Sequence, residues 1–152
     1  MILARFGNET DSYEYFYVNS KKGIHTISDL SFSYGKDVET QGTTGYKPIS
    51  YITALKLVKG GFKIHLDHRF VDVKEKIDKW QAWSENNHLY GFSIGNKFIS
   101  KNKFVVLEAK VSNTKINGKG KYLSADLDIT IEEYAGKNKN IGILRKRLED
   151  YS

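Results

Sequence analysis

The chain has 152 residues, enough for one domain with a sizeable core. Its 24 Lys and Arg against 18 Asp and Glu give a net charge of +6, which admits nucleic acid or an acidic protein surface as partner and requires neither. The lack of cysteine excludes a disulfide framework, a thiolate nucleophile and a cysteine metal site, and no apolar run approaches the roughly 20 residues that cross a bilayer.

The opening MILARF run is too short for a signal peptide, so the expectation is folding in the cytoplasm. The first strand candidate is Tyr13 to Val18, with Tyr13, Tyr15 and Tyr17 on one side and Phe16 and Val18 on the other. Ile24 to Tyr34 reads as a second strand, bent or bulged near Ser28-Asp29. Gly35 to Pro48 carries three glycines and the single proline. It reads as a long irregular loop that orders against a partner, with Lys36, Asp37, Glu39, Gln41, Thr43 and Tyr46 as contact residues.

Ile49 to Phe70 reads as a hairpin turning at Gly60-Gly61, with Phe62, Ile64 and Leu66 on one face of its second arm. Asp72 to Asn87 changes to a helical period. Asp72 is placed to cap it, with Glu75 three residues on, and Val73, Ile77 and Trp80, with Trp83 or Ser84, form a stripe at helical spacing. Leu89 to Ile94 and Lys97 to Ile99 form a short hairpin around Gly95-Asn96. Phe104 to Val111 is a strand, with Val105, Leu107, Ala109 and Val111 on one face, and Asn113 to Gly120 is the turn that follows.

Lys121 to Tyr134 has the clearest pattern in the chain. Leu123, Ala125, Leu127, Ile129 and Ile131 alternate with Tyr122, Ser124, Asp126, Asp128, Thr130 and Glu132, as in a strand with one dry and one wet face. After Ala135 the composition becomes basic. Ile141 to Leu148 forms a short helical pattern in an extension over 136–152, with Lys137, Lys139, Arg145, Lys146 and Arg147 as further contact residues.

Several constellations carry possible chemistry. His65 and Asp67 share a side of their strand, whereas His68 faces the other way, so a metal site starts with two ligands and lacks a third. Glu108 and Lys110 follow an apolar run, as in the second half of a Mg-dependent nuclease strand, but that chemistry needs another carboxylate just upstream. The nearest upstream Asp, Asp78, falls in the helix, Leu89 to Ser100 contains no acid, and cross-strand pairing is the simpler use of Glu108 and Lys110. Asp126 and Asp128 line a wet face that suits a salt-bridged subunit contact. The Gly118 to Lys121 stretch lacks the flanks of a phosphate loop. The tyrosine row of Tyr13, Tyr15 and Tyr17 suits either single-stranded nucleic acid, by stacking, or a protein interface.

The order of elements carries a resemblance. Phe62 to Phe70, the helix Val73 to Asn86, Leu89 to Ile94, the run FVVLEAKV from Phe104 to Val111 and the closing LDITIEEY from Leu127 to Tyr134 resemble the tail protein U family of contractile-tail phages and R-type bacteriocins. The resemblance spans Ile49 to Tyr134 and lies in the pattern of elements. It implies a structural, non-enzymatic component of a tail tube or baseplate hub, without catalytic residues, cofactor or metal.

The expected fold is α+β and mainly β: an antiparallel β sandwich or partly closed barrel with one flanking helix, over residues 1–135. The implied partners are copies of the chain in a ring, expected to be a hexamer, together with tail tube and baseplate proteins. No membrane partner is expected, and no nucleic acid other than DNA passing through a tube lumen. The implied location is the bacterial cytoplasm during assembly, then the tail of a virion or bacteriocin particle. The two competing functions are a single-stranded nucleic-acid-binding module and a Mg-dependent nuclease using Glu108 and Lys110.

Overall fold

The computed structural model describes residues 2–19 and 23–135; the basic extension lies outside the described residues. The described chain is mainly β with one helix, and all its strand pairs are antiparallel. The strands are β1 (Ile2–Asn8), β2 (Ser12–Asn19), β3 (Gly23–His25), β4 (Ile27–Ser33), β5 (Lys36–Thr43), β6 (Tyr46–Leu55) and β7 (Lys59–Asp67). The helix α1 (Val73–Glu85) is followed by β8 (Gly91–Ile94), β9 (Lys97–Phe98), β10 (Phe104–Ile116) and β11 (Tyr122–Glu133).

Three open sheets result. The first has the order β3-β2-β1-β8-β9, the second β10-β11-β7-β4, and the third is the β5-β6 hairpin alone. None closes on itself, so the barrel alternative is set aside among the described residues. No helix there is long and apolar enough to cross a membrane.

The first two sheets meet across an aromatic core. Phe6 of the first sheet lies against Phe62 of the second and against Trp80, Trp83, Tyr90 and Phe92, with ring centroids 5.4 to 6.1 Å apart. Phe16 reaches Phe62 from β2 at 6.1 Å. Edge-on and tilted contacts of this kind add to the area these rings remove from water. The alternation in β11 does what its spacing predicts: Ala125, Leu127, Ile129 and Ile131 are buried, while Asp128 and Thr130 are exposed. The helix also follows its pattern. Asp72 accepts a hydrogen bond from the Glu75 amide, and Val73, Ile77, Trp80 and Trp83 are the buried stripe.

Four expectations need correction. Gly35 to Pro48 is not an irregular loop: β5 and β6 pair across it, from Lys36 opposite Leu55 to Thr43 opposite Tyr46. Its turn signals are real but local. Gly45 takes a positive φ of 81° at the tip, and the register slips between Gln41 and Thr43. Gly60-Gly61 is not a turn. Both lie inside β7, between β4 and β11, and the glycines let three strands approach where a side chain would strike Phe32 or the Ile129 carbonyl. The chain's first strand is β1, which precedes the tyrosine strand. In β10 the buried residues are Phe104 and Val106, and a bulge beside Leu107 shifts the row, so that of the expected face Ala109 packs partly buried against the core while Leu107 and Val111 are exposed.

Candidate functional site

The expected contact residues Lys36, Asp37, Glu39, Gln41 and Thr43 lie along β5, and Tyr46 begins β6. They belong to one projecting arm. Every arm residue whose burial is described is exposed, including Val38, Tyr46, Tyr51, Ile52 and Leu55. Tyr46 and Leu55 each expose about four-fifths of their surface (80% and 81%) at opposite ends of the hairpin. At the base the Lys56 amide donates to the Gly35 carbonyl at 2.9 Å. Lys56 and Asp37 approach to 3.9 Å in the open, a pairing that adds little to stability. A two-stranded hairpin with apolar side chains on view and no third strand is marginally stable in water. Its free edges are where another chain can add.

Asp126 and Asp128 lie on the outward face of β11, as their spacing predicts. Asp126 receives His65 Nδ1 at 2.5 Å and Asn113 Nδ2 at 2.8 Å, and these bonds hold its carboxyl below the usual carboxylate range. Asp128 stands opposite Lys110 on one side and Lys63 on the other. Lys110 thus faces an acid across the strands, whereas Glu108 stands opposite Thr130. Among the described residues no three His, Asp or Glu side chains gather where a metal could sit. Asp67 turns to Arg69, which grips it through Nε and Nη2, and His68 Nδ1 lies 3.0 Å from the Leu123 carbonyl. The Asn117 side chain accepts from the Lys119 and Lys121 amides at 2.9 Å, so these two donors already have an acceptor. Lys137, Lys139, Arg145, Lys146 and Arg147 lie outside the described residues.

Two polar clusters escaped the sequence reading. Glu14 of β2 is buried and accepts from His25 of β3 and from Lys76 and Lys79 of α1. Burial alone would raise its pKa, but the His25 hydrogen bond and the two ammonium groups outweigh it and bring the carboxyl down to about 2. The second cluster centres on Asp11, whose carboxylate accepts from the Tyr90 hydroxyl at 2.8 Å and His88 Nδ1 at 2.5 Å. These bonds hold Asp11 below its ordinary range, while burial pushes the Tyr90 hydroxyl up. Neither cluster is legible in sequence, because each carboxylate meets its partners from other elements and no short spacing links it to them. Tyr13 and Tyr15 point away from the core on β2, with ring centroids 6.2 Å apart, as the alternation requires.

No protein-family model matches the chain, and comparison with curated proteins finds no match.

Proposed function

We propose that the chain is a non-enzymatic assembly component of a phage-like contractile tail, placed at the tube end or baseplate hub. It acts by forming a homo-oligomeric ring, with six copies the expected number, and by docking to neighbouring tail proteins. The resemblance of Ile49 to Tyr134 to the tail protein U family motivates the reading, with the two facing sheets taken as a β sandwich and α1 on its flank. Assembly would take place in the bacterial cytoplasm, and the finished ring would reside in the tail of a virion or bacteriocin particle.

The observation that carries the proposal is the β5-β6 arm. It is a two-stranded ribbon joined to neither of the larger sheets, with Val38, Tyr46, Tyr51, Ile52 and Leu55 exposed, on a body that has a core of its own. A protruding element that meets a different surface on the next copy makes a head-to-tail contact, and such contacts close into rings when the rotation allows. Exposed strand edges provide the backbone donors and acceptors for that pairing. Leu107, Val111 and Ile116 on the edge strand β10 offer apolar side chains for such a contact.

Negative-stain imaging of concentrated protein tests the reading. Rings for the full chain, absent when 36–55 is replaced by a short glycine linker, support it. Rings that persist without the arm would remove it. A nuclease would instead show Mg-dependent cleavage that Glu108→Ala abolishes.

A further inference from the structure

The outer face of the first sheet carries a groove that the assembly reading does not use. Two adjoining hollows, of about 560 Å³ and about 230 Å³, share Arg5 and Phe98 as lining residues. The strand register explains the groove. Tyr15, Arg5, Ser93 and Phe98 form one row across β2, β1, β8 and β9, and Tyr13, Gly7 and Gly91 form the next. The paired glycines leave bare backbone as a floor. Tyr13 leans over Gly7 and Phe98 over Gly91, so aromatic rings flank that floor on both sides.

The charges along the groove are mostly of one sign. Arg5 lies over the Tyr13 ring, its guanidinium carbon 4.8 Å from the centroid, and the ring fixes its position. Lys103 and His88 line the larger hollow, and Asp11 holds His88 through Nδ1. Neither Arg5 nor Lys103 has a carboxylate partner among the described residues, and Glu9 is the one acid that lines either hollow. Tyr15 and Phe98 remain available for stacking, at 43% and 66% exposure.

We infer that this groove binds single-stranded nucleic acid, with bases stacked on Tyr15 and Phe98 and phosphates met by Arg5 and Lys103. Exposed rings on a sheet face, interleaved with cations, are the arrangement by which single strands are held without reading their sequence. An acidic peptide would satisfy the cations but would leave two solvent-facing rings without a planar partner. The inference departs from the expectation that nucleic acid meets this protein only within a tube lumen, and it stands independently of the arm.

The test is fluorescence anisotropy with labelled oligothymidine and oligouridine of roughly eight nucleotides, a typical length for such grooves. Binding should weaken with salt on a log–log slope of about −1.4, the value for two phosphate contacts on a single strand. Phe98→Ala and Tyr15→Ala should each weaken it by about tenfold. Arg5→Ala should flatten the slope by about 0.7. These side chains are on the surface, and circular dichroism would verify that each variant is folded. The arm-deleted chain should bind as the full chain does, which separates this inference from the assembly proposal. No anisotropy change, indifference to all three substitutions, loss of binding on arm deletion, or equal competition by polyglutamate would each overturn it.

Discussion

His25 Nε2 lies 2.6 Å from Glu14 Oε1, with both side chains buried between β2, β3 and the helix. Lys76 and Lys79 complete the group at 2.9 Å each, with their stems on the helix surface. This cluster ties α1 to the first sheet, on the flank of the aromatic core. Removing Glu14 leaves two ammonium groups facing each other with no anion between them. Glu14→Gln should therefore destabilise the protein by about 3 kcal/mol in urea denaturation at neutral pH.

The same carboxylate sets an acid limit. Its folded value of about 2 lies below the ordinary 4.5, so the stability it contributes is complete above pH 4.5. That contribution falls away as the pH drops from 4.5 towards 2. Denaturation of the wild type measured across this range should lose stability faster than Glu14→Gln, and the two curves should converge at the acid end. Parallel curves would show that Glu14 is not the group responsible.

Gly60 and Gly61 are needed for close strand approach. A side chain at Gly61 would sit 2.6 Å from the Ile129 carbonyl oxygen, and one at Gly60 would sit 2.5 Å from Phe32 Cδ1. Gly61→Ala meets backbone that cannot move aside cheaply, and should cost about 3 kcal/mol in thermal or urea unfolding. At Gly45 a Cβ meets nothing within 4 Å, but φ is 81°. Gly45→Ala therefore strains only the turn and should cost about 1 kcal/mol.

Asp72 provides the helix N-cap, accepting from the Glu75 amide at 3.2 Å. Asp72→Ala should cost about 1 kcal/mol, measurable by urea denaturation. Asp72→Asn or Asp72→Ser should recover most of that loss, since each supplies the same acceptor.

Tyr90 is buried against the core while its hydroxyl reaches Asp11 and Asn86. Tyr90→Phe keeps the ring contacts with Phe6 and Trp83 and removes only the hydroxyl. Asp11 retains His88, so the cost in urea denaturation should be about 1 kcal/mol. A much larger loss would mean that the cluster organises the loop between β1 and β2.

What the sequence revealed and what it concealed have physical causes. β11 and α1 were legible because each buries one face along its whole length, so its period is written in consecutive residues. The Ser28-Asp29 irregularity was legible for a similar reason. Asp29 takes a φ of 51° there and the register slips between Ser28 and Ser31. The β5-β6 arm was concealed because neither face is buried among its described side chains, so its strands show no alternation, and Gly42, Gly45 and Pro48 look like loop signals. Gly60-Gly61 misled because glycine pairs serve tight turns and close strand packing alike, and only the third dimension tells them apart. The Glu14 cluster and the sheet-face groove are written in register between distant strands, which no local spacing displays.

The arm is the point on which the assembly account stands. Its inter-strand hydrogen bonds have no cover from the body, so they should open readily in a lone chain. Amide hydrogen exchange over 36–55, followed from dilute to concentrated protein, is the direct measurement. The account predicts rapid exchange when dilute, and marked protection of these amides as copies associate. An arm already protected in the dilute monomer, or one that stays unprotected while rings form, would contradict it.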